Sequence, residues 1–329
     1  MDIELLKIAL EGFLVALAID LVFGEPRGFF HIAVISGNIS ERISRRIINK
    51  HRSELAGTIF LIGIIILILI PLMVLFDILY TFDEIFIIFI LVFAIFLKST
   101  FALTSMGKHI NPIVKSLEKG DLESARFHLS MCVRRDTSQL DPEGVCSAAI
   151  ETVSEGITDS FVGALFMYSI FSIAGAIVYR IVNTMDSMFG YRDEKYLHFG
   201  KPTALADTVL NYIPARITAV LVYASAFLLN YNMKKTKLSN VIYAIQSRNA
   251  AYSIGAMAVL LNVRLEKKGK YIVNRNGFPP TVTEVKKGLN IFYLSFVLMT
   301  LFIFFPVLLV FSIFVWPHIP FIFLIKIPL

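Results

Sequence analysis

Glu151, Glu155 and Asp159 stand four residues apart in the stretch AAIETVSEGITD, directly ahead of an apolar run. Each step of four advances a helix by about 400°, a drift of only about 40°, so the three carboxylates share one helix face. Like charges at that spacing repel by a few tenths of a kcal/mol per pair. No lysine or arginine occurs between Arg135 and Arg180 to relieve the repulsion locally. A divalent cation would relieve it, since Mg2+ takes one or two carboxylates together with substrate phosphates. The competing reading is an ordinary solvated helix face.

Further charged clusters cling to apolar sequence. VRRDTSQLDPEG supplies Arg134, Arg135, Asp136 and Asp141, and NTMDSMFGYRDEKYLHFGK supplies Asp186 and Lys195 with Phe-Gly turns at Gly190 and Gly200. ADTVLNYIPARIT supplies Asp207, Asn211 and Arg216, and SRNAAYSIGAMA supplies Arg248 and Asn249. Arg216 follows Pro214 in what reads as a first helical turn, where the helix dipole disfavours a cation by about 0.3–1 kcal/mol. A bound phosphate would reverse that penalty, while a snorkelling anchor is the plainer alternative. Glu11 and Asp20 are ionisable groups within an apolar stretch, which makes them functional candidates by default, although Glu11 can pair with Lys7. His31, His109 and His198 are isolated and read as structural. The serine of DTS, Ser138, has no partnered histidine nearby, which argues against covalent catalysis. The chain carries no G-x-x-x-x-G-K-[ST] loop, no G-x-G-x-x-G and no H-E-x-x-H. Its two cysteines, Cys132 and Cys146, have no metal-ligand spacing and read as plain thiols.

The elements that must carry these groups are membrane helices. The 329 residues are 56% hydrophobic, with a mean hydropathy of +0.72. Residues 57–76 contain no charge over 20 residues, and 289–316 contain none over 28. About 20 apolar residues cross the hydrocarbon layer. The predicted class is an all-α, polytopic integral membrane protein with about four to six membrane helices and polar helical blocks between them. It reads as a single membrane domain over 1–329, with no internal repeat or low-complexity linker. Predicted spans cover 5–23, 57–76, 85–105, 161–179, 213–231 and 289–316. The opening MDIELLK has acids where a signal peptide needs bases, so the first span is expected to be retained.

Thirty-one basic and 25 acidic residues leave a net charge of +6. We assign this excess to positive-inside loops rather than to nucleic acid. The short link with Asp77, Asp83 and Glu84 then faces outward, and its basic flanks face the cytoplasm. Asp141 before Pro142 predicts an N-cap with proline at the first helical position, opening the carboxylate helix. The run 217–231 is only 15 residues, about 22 Å of helix, short of the roughly 30 Å a crossing requires. The pair 161–179 and 217–231 is therefore expected to form a re-entrant or cavity-lining element, keeping every polar block on one side.

Taken in order, these segments resemble the CobD/CbiB family of adenosylcobinamide-phosphate synthases. The likeness runs from Asp20 to Tyr271 through DLVFGEP…H, RRDTSQLD, AAIETVSEGITD, NTMDSMFGYRDEKY with its later FG, DTVLNYIPAR and, more weakly, SRNAAYSIGAMA. Four positions depart from the family pattern: Gly156 for an asparagine, Thr208 for an aspartate, Ala33 for a proline and Glu25 for an aspartate.

The resemblance implies ATP-dependent amide ligation, joining adenosylcobyric acid to (R)-1-amino-2-propanol O-2-phosphate. ATP and Mg2+ would be cofactors and a corrinoid the substrate, its apolar face buried between helices. On that reading Glu151, Glu155 and Asp159 hold metal or amine, and Asp136, Asp186 or Asp207 is a base for the attacking ammonium. Arg134, Arg135, Lys195, Arg216 and Arg248 hold phosphates, with Asn211 and Asn249 as polar contacts. The site would face the cytoplasm from the cell membrane. The implied partners are the bilayer, the two substrates, and either a second copy of the chain or other late-pathway membrane enzymes. Two competing classes are a non-catalytic AmpE-like signalling protein and a small-solute transporter. The NTMDSMFGY and YIPAR segments argue for the enzyme, and the absence of paired halves argues against transport.

Overall fold

The computed structural model describes residues 2–25, 28–48, 52–190, 196–231 and 238–316. Helices α1 (Asp2–Phe23), α2 (Ile32–Ile47), α3 (Glu54–Thr81) and α4 (Phe86–Lys98) come first. They are followed by α5 (Thr104–Glu118), α6 (Leu122–Ser130), α7 (Pro142–Ile157), α8 (Gly163–Phe189), α9 (Lys201–Leu210), α10 (Tyr212–Leu228) and α11 (Arg248–Leu260). A two-stranded antiparallel hairpin, β1 (Leu265–Lys267) and β2 (Tyr271–Val273), precedes α12 (Val282–Met299) and α13 (Phe305–Phe314). Local chemistry sets several starts. Ser53 accepts from the Ala56 N–H, Asp141 accepts from the Gly144 N–H with Pro142 in the first turn, and Thr281 and Glu284 form a capping box.

Three stretches are long and apolar enough to cross a membrane: Glu54–Thr81, Pro142–Phe189 and Val282–Phe314. A fourth candidate is the pair α9 and α10, broken at Asn211. This fits the predicted polytopic helical class, with corrections to individual spans. Residues 161–179 follow α7 through a π turn, Thr158–Val162, and the chain doubles back within them at Phe171 and Ser172, so that Gly163 lies against the Tyr179 ring, a fold-back of the kind expected for a re-entrant element. The span expected over 85–105 stops at Lys98, whose fully buried ammonium is held by acidic partners described below. Helix α1 has the length, 22 residues, but Lys7, Glu11 and Asp20 keep it out of the apolar set.

By packing, the chain divides into two compact units whose segments alternate along the sequence. The first comprises 1–102, 163–211 and 302–329. Within it α1 packs on α4 and α13, while α8 packs on α2, α3, α9 and α13. Phe13 meets Phe304 with ring centroids 4.5 Å apart, and the buried Tyr168 donates to the Ala9 carbonyl at 2.8 Å. Helix α8 breaks at Phe171 and Ser172, where Ser172 takes φ 53°, a region costly for a residue with a Cβ. The break frees the Ile170 carbonyl, and Trp316 Nε1 donates to it at 2.7 Å. Gly175 permits the break, since a Cβ there would lie 2.4 Å from the Met167 carbonyl oxygen.

In the same unit, α3 lies so close to the segment before α9 that a Cβ on Gly57 would sit 2.1 Å from the Phe199 carbonyl oxygen. Backbone cannot yield as a side-chain tip does. Gly57→Ala is therefore expected to cost about 1–3 kcal/mol. Gly63→Ala on the same helix, where nothing lies within 4 Å of a new Cβ, should be neutral or slightly stabilising. Thermal unfolding of both variants in detergent checks this, and equal melting temperatures would refute it.

The second unit comprises 103–162 and 212–301. Helix α7 is its buried centre, packing on α12, α11, α5, α6 and β1, while α10 packs on α11 and α12. Phe161 sits edge-on to Phe292 at 5.2 Å and to Phe296 at 5.3 Å. Buried hydroxyls pair across helices, Thr158 with Thr218 at 2.9 Å and Ser225 with Ser295 at 3.0 Å.

Candidate active site

In the second unit the carboxylate stripe divides into unlike members. Glu151, 5% exposed, is held on both oxygens. Its Oε1 accepts from Ser147 Oγ at 3.1 Å and from Arg135 Nη2 at 3.5 Å, and its Oε2 accepts from the Tyr271 hydroxyl at 2.9 Å. Ser147 also accepts from the Glu266 N–H at 2.9 Å, which ties the hairpin to α7. Burial raises the Tyr271 phenol above its ordinary pKa, and the charges of Glu151 and Glu155 raise it further, so the hydroxyl remains a donor.

Glu155, one turn on, is exposed. It makes no hydrogen bond or ion pair among the described residues, and Arg135 and Lys267 are the cations acting on it. Asp159 lies in the π turn, half-buried, where hydrogen bonding shifts to i→i+5 and the four-residue register changes. Among the described residues no three His, Cys, Asp or Glu side chains converge enough to hold a metal ion. The stripe is therefore not a ready three-carboxylate cage. Glu155 is the member of the stripe that stands outside the Arg135–Ser147–Tyr271 clamp without a hydrogen bond of its own among the described residues.

Around this stripe the predicted cations separate. Arg134 is exposed, as is Asp136, whose carboxylate accepts from the Ser138 N–H at 2.9 Å and is held below its usual pKa by that bond. In the RRD run it is Arg135 that joins the stripe, through its bond to Glu151. Arg216 lies between two rings, its guanidinium carbon 3.5 Å from the Tyr212 centroid and 4.5 Å from that of Tyr252. It donates to the Tyr212 carbonyl and to Asn249 Oδ1, the latter at 3.4 Å. Stacked in this way, it is fixed in direction rather than free to snorkel. Arg248 is exposed at the start of α11, next to Asn249.

The first unit holds Asp186, Asp207 and Asn211 together. Asp207 accepts two bonds from Asn211 Nδ2 at 3.1 Å and one from Asn183 Nδ2 at 3.4 Å. Asn211 in turn accepts from the buried Tyr179 hydroxyl at 2.8 Å. Arg180 donates to Asn183 Oδ1 at 3.3 Å and anchors on the Thr100 carbonyl. Asp186 lies near enough for repulsion with Asp207, and a Cβ on Gly190 would collide with its carboxylate at 2.0 Å. Lys195 lies outside the described residues.

A third charged group in that unit surrounds Lys98. Its Nζ is 3.0 Å from Asp20 and 3.2 Å from Glu25, and it donates to the Phe101 carbonyl at 3.1 Å. Glu25 is also 3.0 Å from His31 Nε2.

Arg135, Glu151, Asp186, Asp207 and Asn211 thus all sit in polar networks seated on apolar helices, in the order in which the sequence motifs run. The family model described as CobD/Cbib protein matches residues 13–292, which includes every one of them. The chain belongs to the CobD/CbiB family. Among similar curated proteins is the probable cobalamin biosynthesis protein CobD of Thermoplasma volcanium, 42% identical over 283 residues, 85% of this chain and 91% of that one. Its counterpart in Thermoplasma acidophilum is 39% identical over 89% of this chain and 95% of the relative. The cobalamin biosynthesis protein CobD of Dehalococcoides mccartyi is 37% identical over 79% and 84% respectively. No solved structure matches the chain.

For this CobD/CbiB member the departures from pattern have local readings. A Cβ on Gly156 would meet the Met106 methyl at 2.1 Å, the far end of a flexible side chain, so the glycine is filled from across α5 rather than left hollow. Glu25 reaches both Lys98 and His31, and Thr208 is exposed, donating to the Ala204 carbonyl. Residues that sequence reasoning did not assign include Ser147, Lys267 and Tyr271 around Glu151, and Tyr179, Arg180 and Asn183 around Asp207. Asn183 lies inside a family motif and carries that signal. Tyr271 stands at the edge of the resemblance, in a block whose charge reads as a loop.

Proposed function

We propose that this CobD/CbiB member acts in cobalamin biosynthesis as an ATP-dependent amide ligase. The free propionate of adenosylcobyric acid takes the γ-phosphoryl group of ATP, giving an acyl phosphate and ADP. The amine of (R)-1-amino-2-propanol O-2-phosphate attacks the acyl carbon, the C–N bond forms, and inorganic phosphate leaves. The nitrogen must shed a proton. Glu155 is the carboxylate we assign to that task, and the observation that carries the assignment is its exposure beside a Glu151 already tied to three donors.

Arg135 and the stacked Arg216, with Asn249, are suited to phosphate oxygens because a fixed guanidinium offers paired donors. When bound, Mg2+ supplies charge neutralisation at nucleotide oxygens. Asp207, Asn211, Asn183 and Asp186 form a second polar set, and we assign it to substrate orientation. The positive-inside pattern supports a site opening to the cytoplasm.

The test is reconstitution. Purified protein given ATP, Mg2+, adenosylcobyric acid and the amino-alcohol phosphate should form one ADP and one phosphate per amide. It should form no amide when any one substrate is withheld. Absence of product with all four present removes the ligase reading.

A further inference from the structure

The hairpin β1–β2 brings two further groups to the stripe. Lys267 and Tyr271 are direct cross-strand partners, so their side chains emerge on one side of the hairpin. Lys267 Nζ lies 6.0 Å from the Tyr271 ring centroid, and the Tyr271 hydroxyl lies 2.9 Å from Glu151. Gly269 at φ 73° closes the turn, with the Lys270 N–H on the Lys267 carbonyl at 2.9 Å. Ser147 bonds the Glu266 N–H and fixes the register of the hairpin on α7. The result is one exposed carboxylate, Glu155, one helical turn beyond Glu151, with Arg135 and Lys267 as the cations acting on it. Arg135 has one ion pair, to Glu151 at 3.5 Å, whereas Lys267, half-buried, makes no ion pair among the described residues.

A negative point beside a positive one is the charge complement of a small zwitterion bearing an ammonium and a phosphate monoester. Such a phosphate carries about −1.5 to −2 at neutral pH, so it needs a cation, while its ammonium needs a carboxylate. We infer that Glu155 and Lys267 form the subsite for the amino-alcohol phosphate, Glu155 taking the ammonium and Lys267 the phosphate. This rests on the ligase reading above and adds a residue and an element to it. Tyr271 acts through Glu151 as a positioning residue, holding that carboxylate away from Glu155 so that a single acceptor is presented.

The test uses the full chain in detergent. Calorimetric titration is run with (R)-1-amino-2-propanol O-2-phosphate and with unphosphorylated 1-amino-2-propanol, alongside KM for the corrinoid. Lys267→Ala is expected to weaken the phosphorylated amine by about 10–100-fold, the worth of a charge-assisted bond. It should leave the unphosphorylated amine and the corrinoid KM unchanged. Lys267→Arg should restore most of the binding, and Lys268→Ala, an exposed neighbour, should match wild type. Tyr271→Phe should lower kcat by up to about 10-fold while leaving the ratio of the two amine affinities at its wild-type value.

Wild-type affinity for the phosphorylated amine in Lys267→Ala, equal weakening of both amines, or no binding by wild type each overturns the subsite. Binding needs no turnover, so the two readings separate. Product formation with an unchanged KM in Lys267→Ala defeats the subsite and keeps the ligase. Lysine-dependent binding without product does the reverse.

Discussion

Lys98→Met is expected to cost about 3–5 kcal/mol, enough to leave little folded protein, because it strands the fully buried Asp20 and leaves Glu25 with His31 alone. Asp20 and Lys98 are both fully buried, and Glu25 is the only other acid on that ammonium among the described residues. The methionine preserves apolar volume, so the loss isolates charge from packing. Asp20→Asn combined with Lys98→Met should recover most of the stability, since removing both partners is far less costly than removing one. Thermal unfolding in detergent reads the cycle, and additive losses would refute the pairing.

The same cluster predicts an acid response. Burial alone would raise Glu25, but the hydrogen bond from His31 and the charge of Lys98 bring it from 4.5 to about 2. A carboxylate lowered in the fold stabilises fully above its unfolded value. That contribution is therefore intact above about pH 4.5 and disappears as pH falls through 2. Glu25→Gln should flatten the melting profile over that window.

Glu155→Gln is expected to lower kcat of the proposed ligation by about 10²–10⁴-fold while melting close to wild type. The exposed side chain bonds nothing else among the described residues, so the fold has little to lose. Glu151→Gln should behave oppositely. Its three donors include a half-buried arginine, and disturbing them should cost about 1–3 kcal/mol of stability. Steady-state turnover paired with thermal melting separates the two carboxylates. Full turnover in Glu155→Gln would dismantle the assignment of the base.

The contrast marks what could be read from the residues alone. The long spans declared themselves because an uncharged run of that length has no other stable home, and Asp141–Pro142 announced a helix start that the structure retains. Spacing also put Glu151 and Glu155 on one face. What spacing could not convey is which of them is spoken for, since Tyr271 and the Glu266 N–H arrive from more than 100 positions along the chain. Strands of three residues carry too little alternation to register, and LEKKGKYIV reads as charged loop. Lys98 lies inside the span predicted over 85–105 rather than at its end, because neutralisation by Asp20 is invisible until α1 packs on α4. The break at Ser172 left no mark either, as nothing about a serine announces a positive φ.

The alternation of segments between the units has a consequence in time. Phe13 finishes its surroundings only against Phe304, so α1 waits for a segment synthesised long after it. At 5–20 residues per second that interval is about 15–60 s, during which α1 must be sheltered by lipid or by the insertion machinery. A nascent chain arrested before α12 would carry most of the catalytic candidates yet own neither finished half. Quality control of the first unit is thus forced to act after the segment bearing Phe304 has been made, not on α1 as it emerges.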